Sequence, residues 1–144
     1  MINVLLVDDN GPIRKNVRSL IRKADDIQVL ATATNGVEAI EKARLLRPDV
    51  AVMDISMPLM DGLEATEHIR ECCRFTRVII LSGFDTPHYV QRGLEVGAEG
   101  YVLKDVAAED LLEAIRIVHQ GNYYFSAQVT EIAEKHLAGK GNQS

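Results

Sequence analysis

Polar side chains with acid, hydroxyl or amine groups follow four strand-like apolar runs of this 144-residue sequence. They are Asp8 and Asp9 after residues 3–7, Asp54 after 50–53, Ser82 after 78–81 and Lys104 after 100–103. Ligands of an open parallel sheet bind at the carboxyl ends of its strands. The sequence therefore predicts a single site that combines three carboxylates, a hydroxyl and an ammonium group.

The chemistry of such a site follows from the repulsion among its carboxylates. Two carboxylates about 4 Å apart repel by about 4 kcal/mol at an effective dielectric of about 20, so the cluster must bind a cation or retain protons. Oxygen ligands without a nearby histidine or thiol favour Mg²⁺ or Mn²⁺. A carboxylate on an exposed turn beside such a metal, as expected for Asp54, can attack phosphorus and form an acyl phosphate. Lys104 would neutralise the transferred group, and Ser82 would donate a hydrogen bond to it.

Each of these residues also has a common structural role when it is considered alone. An aspartate at a strand end usually caps a helix or a turn, and the same holds for a hydroxyl such as Ser82. A lone Lys104 is typical of a solvated surface charge. The prediction of a site therefore depends on their joint occurrence, each at the end of its own strand.

Strand-like and helix-like runs alternate along the chain, which predicts an α/β fold with a parallel sheet covered by helices on both faces. The predicted strands are 3–7, 27–32, 50–53, 78–81 and 101–103. The predicted helices begin near Gly11, Asn35, Asp61 and Thr86, and the last one spans 107–120. Asn35 and Asp61 each stand three residues before a glutamate, which is the spacing of a capping box and predicts that their side chains cap these helices. Asp105 is expected to cap this last helix. The second helix should bury Val37, Ile40, Ala43 and Leu46, which recur at helical spacing.

The pattern changes after Gly121, which predicts a domain over residues 1–121 and a C-terminal extension over 122–144. The sequence Tyr-Tyr-Phe at 123–125 predicts a cluster that covers the core or an interface. Residues 126–138 form a weakly amphipathic stretch, and 139–144 are small and polar, as is typical of a linker start or a frayed end.

Composition limits the classes of protein to which the chain can belong. It is 47% hydrophobic and 26% charged, as expected for a soluble globular domain, and its net charge of -5 argues against a basic nucleic-acid site. The adjacent Cys72 and Cys73 have no zinc-type spacing, and neighbouring cysteines rarely form a disulfide. No signal-peptide pattern and no membrane-length apolar run is present, so a cytoplasmic location is predicted.

Four stretches together resemble the response-regulator receiver domain of two-component signalling. They are VLLVDD at 4–9, DISMPLMDG at 54–62, LSG at 81–83 and GYVLK at 100–104, and the resemblance covers about residues 2–121. It implies a flavodoxin-like (βα)5 fold, a doubly wound parallel sheet in the order 2-1-3-4-5, here followed by a short C-terminal helical extension.

The resemblance also implies a phosphoacceptor and its metal site. Asp54 would accept the phosphoryl group from a sensor histidine kinase. Asp8, Asp9 and Asp54 would hold Mg²⁺ or Mn²⁺, with the backbone carbonyl of Ser56 as a further ligand. The domain would catalyse only its own phosphorylation and dephosphorylation, and would not be an enzyme in the usual sense.

Three further residues would convert phosphorylation into a change of shape. Lys104 would hold the phosphoryl group, while Ser82 and Tyr101 would be the switch residues. The phosphate would draw Ser82 inward, Tyr101 would turn in, and the surface between the fourth and last helices would change. This surface, or the first and last helices, could then form a homodimer.

Asp105 stands where many receivers have proline, and this variation is typical of NarL/FixJ-type regulators. These proteins continue into a LuxR-type helix-turn-helix domain, which is absent from this chain. The sequence favours a piece of a transcription factor over a natural single-domain regulator. The partners would then be a histidine kinase and a second copy of the chain. The chain would not bind a membrane, and it would reach DNA only through the absent domain.

Two other functions share some of these features. A phosphatase of the haloacid dehalogenase type also uses an aspartyl nucleophile and Mg²⁺ on a parallel sheet. It needs a second acid two residues after the nucleophile, where this chain has Ser56. An interaction module that works without phosphorylation would not require the full set of acids, hydroxyl and lysine.

Overall fold

A central parallel sheet organises the protein in the computed structural model, which describes residues 1–142 and side chains as far as residue 139. The strands are β1 (Ile2–Val7), β2 (Ile27–Ala33), β3 (Val50–Met53), β4 (Arg77–Ser82), β5 (Gly100–Leu103) and β6 (Tyr124–Phe125). The α-helices are α1 (Gly11–Ile21), α2 (Gly36–Leu46), α3 (Gly62–Cys72), α4 (Pro87–Glu95), α5 (Ala107–His119) and α6 (Thr130–Asn142). Short 3-10 turns, Lys104–Val106 and Ala127–Val129, precede α5 and α6.

The sheet order is β2-β1-β3-β4-β5-β6, and every neighbouring pair is parallel. The order 2-1-3-4-5 and the flavodoxin-like class are therefore confirmed. The sixth strand was not predicted, because two residues are too few to show an alternating pattern. The Tyr124 N–H donates to the Glu99 carbonyl and the Ser126 N–H to the Tyr101 carbonyl, each at 3.0 Å, so the extension lengthens the sheet beside β5.

The sheet is apolar on both faces, because alternate side chains of its central strands enter two separate cores. Leu5 and Val7 of β1 pack in the core beneath α2, α3, α4 and α6, whereas Val4 and Leu6 pack beneath α1 and α5. Burial on both faces explains why the central strands read as continuous apolar runs.

Side-chain caps fix where three helices begin, and hence where the loops after the strands end. The carboxamide of Asn35 accepts from the Glu38 N–H, and the Asp61 carboxylate accepts from the Glu64 N–H, as predicted. Asn10 caps α1 in the same way, because its side chain accepts from the Ile13 N–H.

Some local predictions were wrong. Asp105 does not cap α5, because it lies inside the 3-10 turn and Val106 occupies the cap position without a side-chain hydrogen bond. Val37 and Leu46 are 42% and 39% exposed, so α2 buries a narrower face, which includes Ala39 and Ala43. α6 continues to Asn142, through most of the segment predicted as a linker or frayed end. The end of that segment, 143–144, lies outside the described residues.

The boundary predicted at residue 121 stays a prediction. Residues 124–125 pair with β5, and the 3-10 turn and α6 contribute Val129 and Ala133 to the buried core. Within residues 1–142, no helix is long and apolar enough to span a membrane.

Candidate functional site

The carboxyl ends of β1 and β3 bring the three predicted acids together. Val7 and Met53 pair in the sheet, so Asp8 and Asp54 leave adjacent strands at the same level. The Asp54 N–H donates to the Val7 carbonyl at 2.9 Å and continues the ladder for one more residue. One carboxylate oxygen from each of Asp8, Asp9 and Asp54 lies within 4.8 Å of the others.

Lys104 reaches this cluster from the end of β5. Its Nζ donates to Asp54 Oδ1 at 3.0 Å and lies 3.4 Å from Asp8 Oδ2. Asp8 and Asp54 are 2% and 6% exposed, whereas Asp9 is exposed. A single ammonium thus faces two buried carboxylates and cannot balance the charge of both.

Burial and neighbouring charges shift the pKa values of Asp54 and Lys104. Burial raises the pKa of Asp54, and the negative charge of Asp8 adds to this, although the hydrogen bond from Lys104 opposes it. Burial alone would lower the pKa of Lys104, but its hydrogen bond to Asp54 and the charges of both acids raise it above its usual value. Lys104 is therefore charged at neutral pH, whereas burial makes the ionised form of Asp54 less favourable than it is in water.

The acids fit a hard divalent cation. Asp8 Oδ1 accepts from the Asn10 N–H at 2.9 Å, but the buried Oδ2 has no hydrogen-bond partner despite its proximity to Lys104. A buried carboxylate oxygen without a donor carries a desolvation cost that a bound cation would remove. An all-oxygen set with one or two carboxylates is the type of site that Mg²⁺ and Mn²⁺ occupy.

The loop after β3 folds closely over Asp54. The Gly62 N–H donates to the Ile55 carbonyl at 2.8 Å. A Cβ on Gly62 would lie 1.8 Å from the Asp54 carbonyl oxygen, so only glycine fits at the start of α3. Ser56 lies exposed at the beginning of this loop, two residues after Asp54.

The two predicted switch residues are joined through the backbone of Phe84. The Phe84 N–H donates to Ser82 Oγ at 2.9 Å, and the Tyr101 hydroxyl donates to the Phe84 carbonyl at 2.6 Å. Ser82 is fully buried and Tyr101 is 1% exposed, so Tyr101 already occupies the inward position. The Phe84 ring stacks on Tyr89 at a centroid distance of 4.3 Å, which extends the connection to α4.

Comparison with known proteins identifies the family. Residues 4–116 match the response regulator receiver domain. This chain belongs to that family. The predicted resemblance is therefore confirmed, and the receiver has its acid cluster and lysine at the carboxyl ends of its strands, as the sequence predicted.

The receiver is similar to regulators of the NarL and LuxR type. The transcriptional regulatory protein LnrK of Bacillus subtilis (strain 168) is 37% identical over 130 residues, which cover 90% of this chain and 59% of LnrK. The oxygen regulatory protein NreC of Staphylococcus aureus (strain JH9) is 36% identical over 99% of this chain and 66% of NreC. A LuxR-family two-component response regulator from Aurantimonas sp. SI85-9A1, known from its crystal structure, is 30% identical in sequence and has a TM-score of 0.87. The match covers 94% of this chain and 97% of that one. The receiver thus spans about six tenths of the length of the curated relatives that it matches.

Sequence reasoning missed two residues that hold the site in place. Arg14, one turn into α1, donates from Nη1 to the Asp8 carbonyl at 2.7 Å and so fixes the end of β1. Ser126 is fully buried, and its Oγ accepts from the Leu103 N–H at 3.0 Å, directly before Lys104. A basic residue after a glycine-proline helix start is too common to be a signal for Arg14. Ser126 could be found only once β6 was known to lie beside β5.

Proposed function

We propose that the receiver accepts a phosphoryl group on Asp54 from a histidine kinase, with Mg²⁺ or Mn²⁺, and thereby controls transcription through a DNA-binding domain. The observation that carries this proposal is the convergence of Asp8, Asp9 and Asp54 with Lys104 at one edge of the sheet. The similarity to the transcriptional regulatory protein LnrK supports a transcriptional output.

Asp54 has the features of the nucleophile. Its Oδ1 accepts from the Ile55 N–H at 2.9 Å and from Lys104 at 3.0 Å, and neither hydrogen bond uses Oδ2. A carboxylate oxygen attacks the phosphorus of a kinase phosphohistidine, the P–N bond breaks as the O–P bond forms, and the released imidazole takes up a proton from solvent. Burial of Asp54 destabilises its negative charge, and the reaction removes this charge from the carboxylate, because it passes to the leaving imidazole and is neutralised there by the proton.

The other acids and the lysine accommodate the charge of the phosphoryl group. Asp8, Asp9, Asp54 and the Ser56 carbonyl would hold the metal ion, which when bound would neutralise carboxylate and phosphoryl oxygens. Lys104 would move its hydrogen bond from Asp54 to a phosphoryl oxygen, because the two acceptors would lie within the reach of one flexible side chain.

The Ser82–Phe84–Tyr101 hydrogen bonds provide a route from the phosphate to the surface. If Ser82 turns its hydroxyl towards the phosphoryl group, Phe84 loses the acceptor of its N–H and the loop before α4 changes its packing. The carbonyl of Phe84 also holds the Tyr101 hydroxyl, so the loop and Tyr101 move together.

Phosphorylation by a small donor tests the proposal. The receiver should gain one phosphate from acetyl phosphate in the presence of Mg²⁺ and none in the presence of a chelator, measured by intact-mass spectrometry. Asp54→Asn should gain none. Asp25→Asn, which changes an exposed aspartate near the start of β2, is the matched control and should be phosphorylated like the wild type. An undiminished yield in Asp54→Asn would place the nucleophile elsewhere.

The alternative phosphatase function receives no support from the comparisons, which match the receiver family. The position two residues after Asp54 is the exposed Ser56, which cannot act as a general acid at neutral pH. Repeated hydrolysis of p-nitrophenyl phosphate, with many turnovers per chain, would favour the phosphatase; at most a slow, single phosphate release is expected.

A further inference from the structure

The two cysteines of the chain converge at the end of α3, far from the acids. Cys72 is the last residue of the helix and Cys73 is its C-cap, and their sulfur atoms lie 2.8 Å apart. Cys73 precedes the amino end of β4 by four positions, whereas Asp54 follows the carboxyl end of β3. The thiol pair therefore lies at the opposite edge of the sheet from the phosphorylation site.

The end of the helix causes this convergence. Successive side chains of an α-helix point about 100° apart and do not face each other. Cys73 has left the helical conformation, with φ −134° and ψ 63°, and this directs its thiol back towards Cys72. The folded backbone thus presents two sulfur atoms side by side.

These sulfur atoms are poorly placed for a stable disulfide. Cα atoms joined by a trans peptide bond are about 3.8 Å apart, whereas disulfides usually need about 4.4 Å or more. A bond between the two sulfurs would be strained and readily reduced. The pair is therefore suited to hold a third atom between its sulfurs rather than to close on itself.

The pair lies in an open cleft between α2 and α3. This cleft, of about 400 Å³, also contains Arg44, Arg47, Glu71 and Phe75. Cys72 is exposed and reachable, while Cys73 is half-buried. Burial raises the pKa of Cys73 to about 11, helped by the neighbouring Cys72 and opposed by Arg44 and Arg47, so its thiol stays protonated at neutral pH.

The absence of a third ligand narrows the chemistry of the occupant. Among the described residues, Asp8, Asp9 and Asp54 are the one group of three potential ligands that lie close enough to share an ion. A structural zinc ion needs about four nitrogen or sulfur ligands, which this cleft does not bring together. A trivalent arsenic atom needs only two protein sulfurs, because its third bond is to carbon or oxygen.

We propose that Cys72 and Cys73 form a preorganised two-sulfur site for one trivalent thiophilic centre of the arsenous acid and organic arsenoxide class. With phenylarsenous acid, two As–S bonds form and two As–OH bonds break. Each thiol proton leaves in a molecule of water, and arsenic remains trivalent. This site is independent of the function proposed for Asp54.

Titration of the full chain with phenylarsenous acid tests the site. Intact-mass spectrometry should show one phenylarsenic group per chain, and an excess of dithiothreitol should remove it while the same excess of a monothiol should not. Cys72→Ser should bind at least roughly ten-fold more weakly, because a single As–S bond lacks the chelate advantage. Cys72 is exposed, so this variant should fold normally, and its circular dichroism checks that it does.

The melting temperature tests whether the folded chain holds the two thiols in place before they bind arsenic. If the folded state presents the pair better than the unfolded chain, saturating phenylarsenous acid should raise the melting temperature. No rise, or equal binding by Cys72→Ser, would overturn the proposal. Tighter binding of Zn²⁺ than of phenylarsenous acid would overturn the assigned ligand class.

Discussion

At the scale of single residues, the acid site is a compromise between folding and chemistry. Asp8 and Asp54 are buried beside one lysine, and Asp8 Oδ2 has no hydrogen-bond partner. Natural proteins keep such costs mainly where a site needs them. The cost should be measurable as a gain of stability when an acid is removed or a cation is added.

The raised pKa of Asp54 predicts the direction of one such gain. A group whose folded pKa is raised contributes stability below its unfolded pKa of 3.8, and this stability is lost as pH rises through the folded value. Asp54→Asn cannot ionise, so without metal it should be more stable than the wild type at pH 7, by about 1.4 kcal/mol for each pH unit by which the folded pKa is raised.

Thermal unfolding in a chelator from pH 4 to pH 8 measures this difference. The stability advantage of Asp54→Asn over the wild type should be smallest near pH 4 and should grow towards neutral pH. A variant that melts well below the wild type at pH 7 would instead mean that the Lys104–Asp54 ion pair outweighs burial.

Metal binding predicts a second effect on stability. Mg²⁺ should raise the melting temperature of the wild type, because at the proposed site it would relieve repulsion among Asp8, Asp9 and Asp54 and would bind only the folded state. At about one hundred times its dissociation constant, the gain is about 2.7 kcal/mol. Asp9→Asn should lose most of this gain, while Asp25→Asn should keep it. An equal Mg²⁺ effect in Asp9→Asn would mean that Asp9 is not a ligand.

At the scale of elements, β6 and α6 reinforce β5, the strand that ends directly before Lys104. Ser126 accepts from the Leu103 N–H and donates its own N–H to the Tyr101 carbonyl. Val129 and Ala133 are fully buried in the same core cluster as Val90 of α4 and Tyr101. The extension is therefore part of the structure around Tyr101.

Ser126→Ala tests this reinforcement. The variant leaves the buried Leu103 N–H without an acceptor, which should cost about 1–3 kcal/mol of unfolding free energy. Gln128→Ala, at an exposed position in the adjacent 3-10 turn, should change stability by less than ~0.5 kcal/mol. Urea unfolding gives the unfolding free energy of both variants. If the two lose similar amounts, the Ser126 hydroxyl does not stabilise β5.

The elements that could be predicted from sequence are those with a strong local signal. Strand ends followed by polar residues located Asp54 and Lys104, and side-chain caps located the starts of α2 and α3. Asp105 failed as a cap because a 3-10 turn, which capping patterns do not anticipate, precedes α5. The pairing of β6 and the link through Phe84 depend on backbone contacts between segments distant in sequence, for which no local pattern exists.

At the scale of the whole molecule, the structure distinguishes the two surfaces considered for dimerisation. α6 packs against α4, so part of the surface near α4 is already covered by the chain itself. Between α1 and α5 lies an apolar groove of about 350 Å³, lined by residues that include Ile13, Val17, Leu20 and Ala107. The α1–α5 groove is thus the better candidate for contact with a second copy.

A stable phosphoryl mimic should shift the monomer–dimer balance. Beryllofluoride with Mg²⁺ should promote dimers in analytical ultracentrifugation, and Lys104→Ala should lose most of the shift, because Lys104 connects the mimic to β5. Leu20→Glu, in the groove, should also abolish it. Leu45→Glu, at a position on α2 that is 81% exposed, should not. An unchanged balance over a wide concentration range would exclude dimerisation as the response of this chain.

The order in which the chain is synthesised gives the position of Lys104 a further consequence. Asp54 emerges from the ribosome 50 residues before Lys104, the cation that faces it in the finished site. Domains begin to organise during synthesis, and long-range parallel pairing is slow. During this interval β1 and β3 can bring the carboxylates together with no lysine to oppose their repulsion. Magnesium in the surrounding solution should therefore speed the docking of β3 against β1, and the receiver should refold faster with Mg²⁺ than with a chelator.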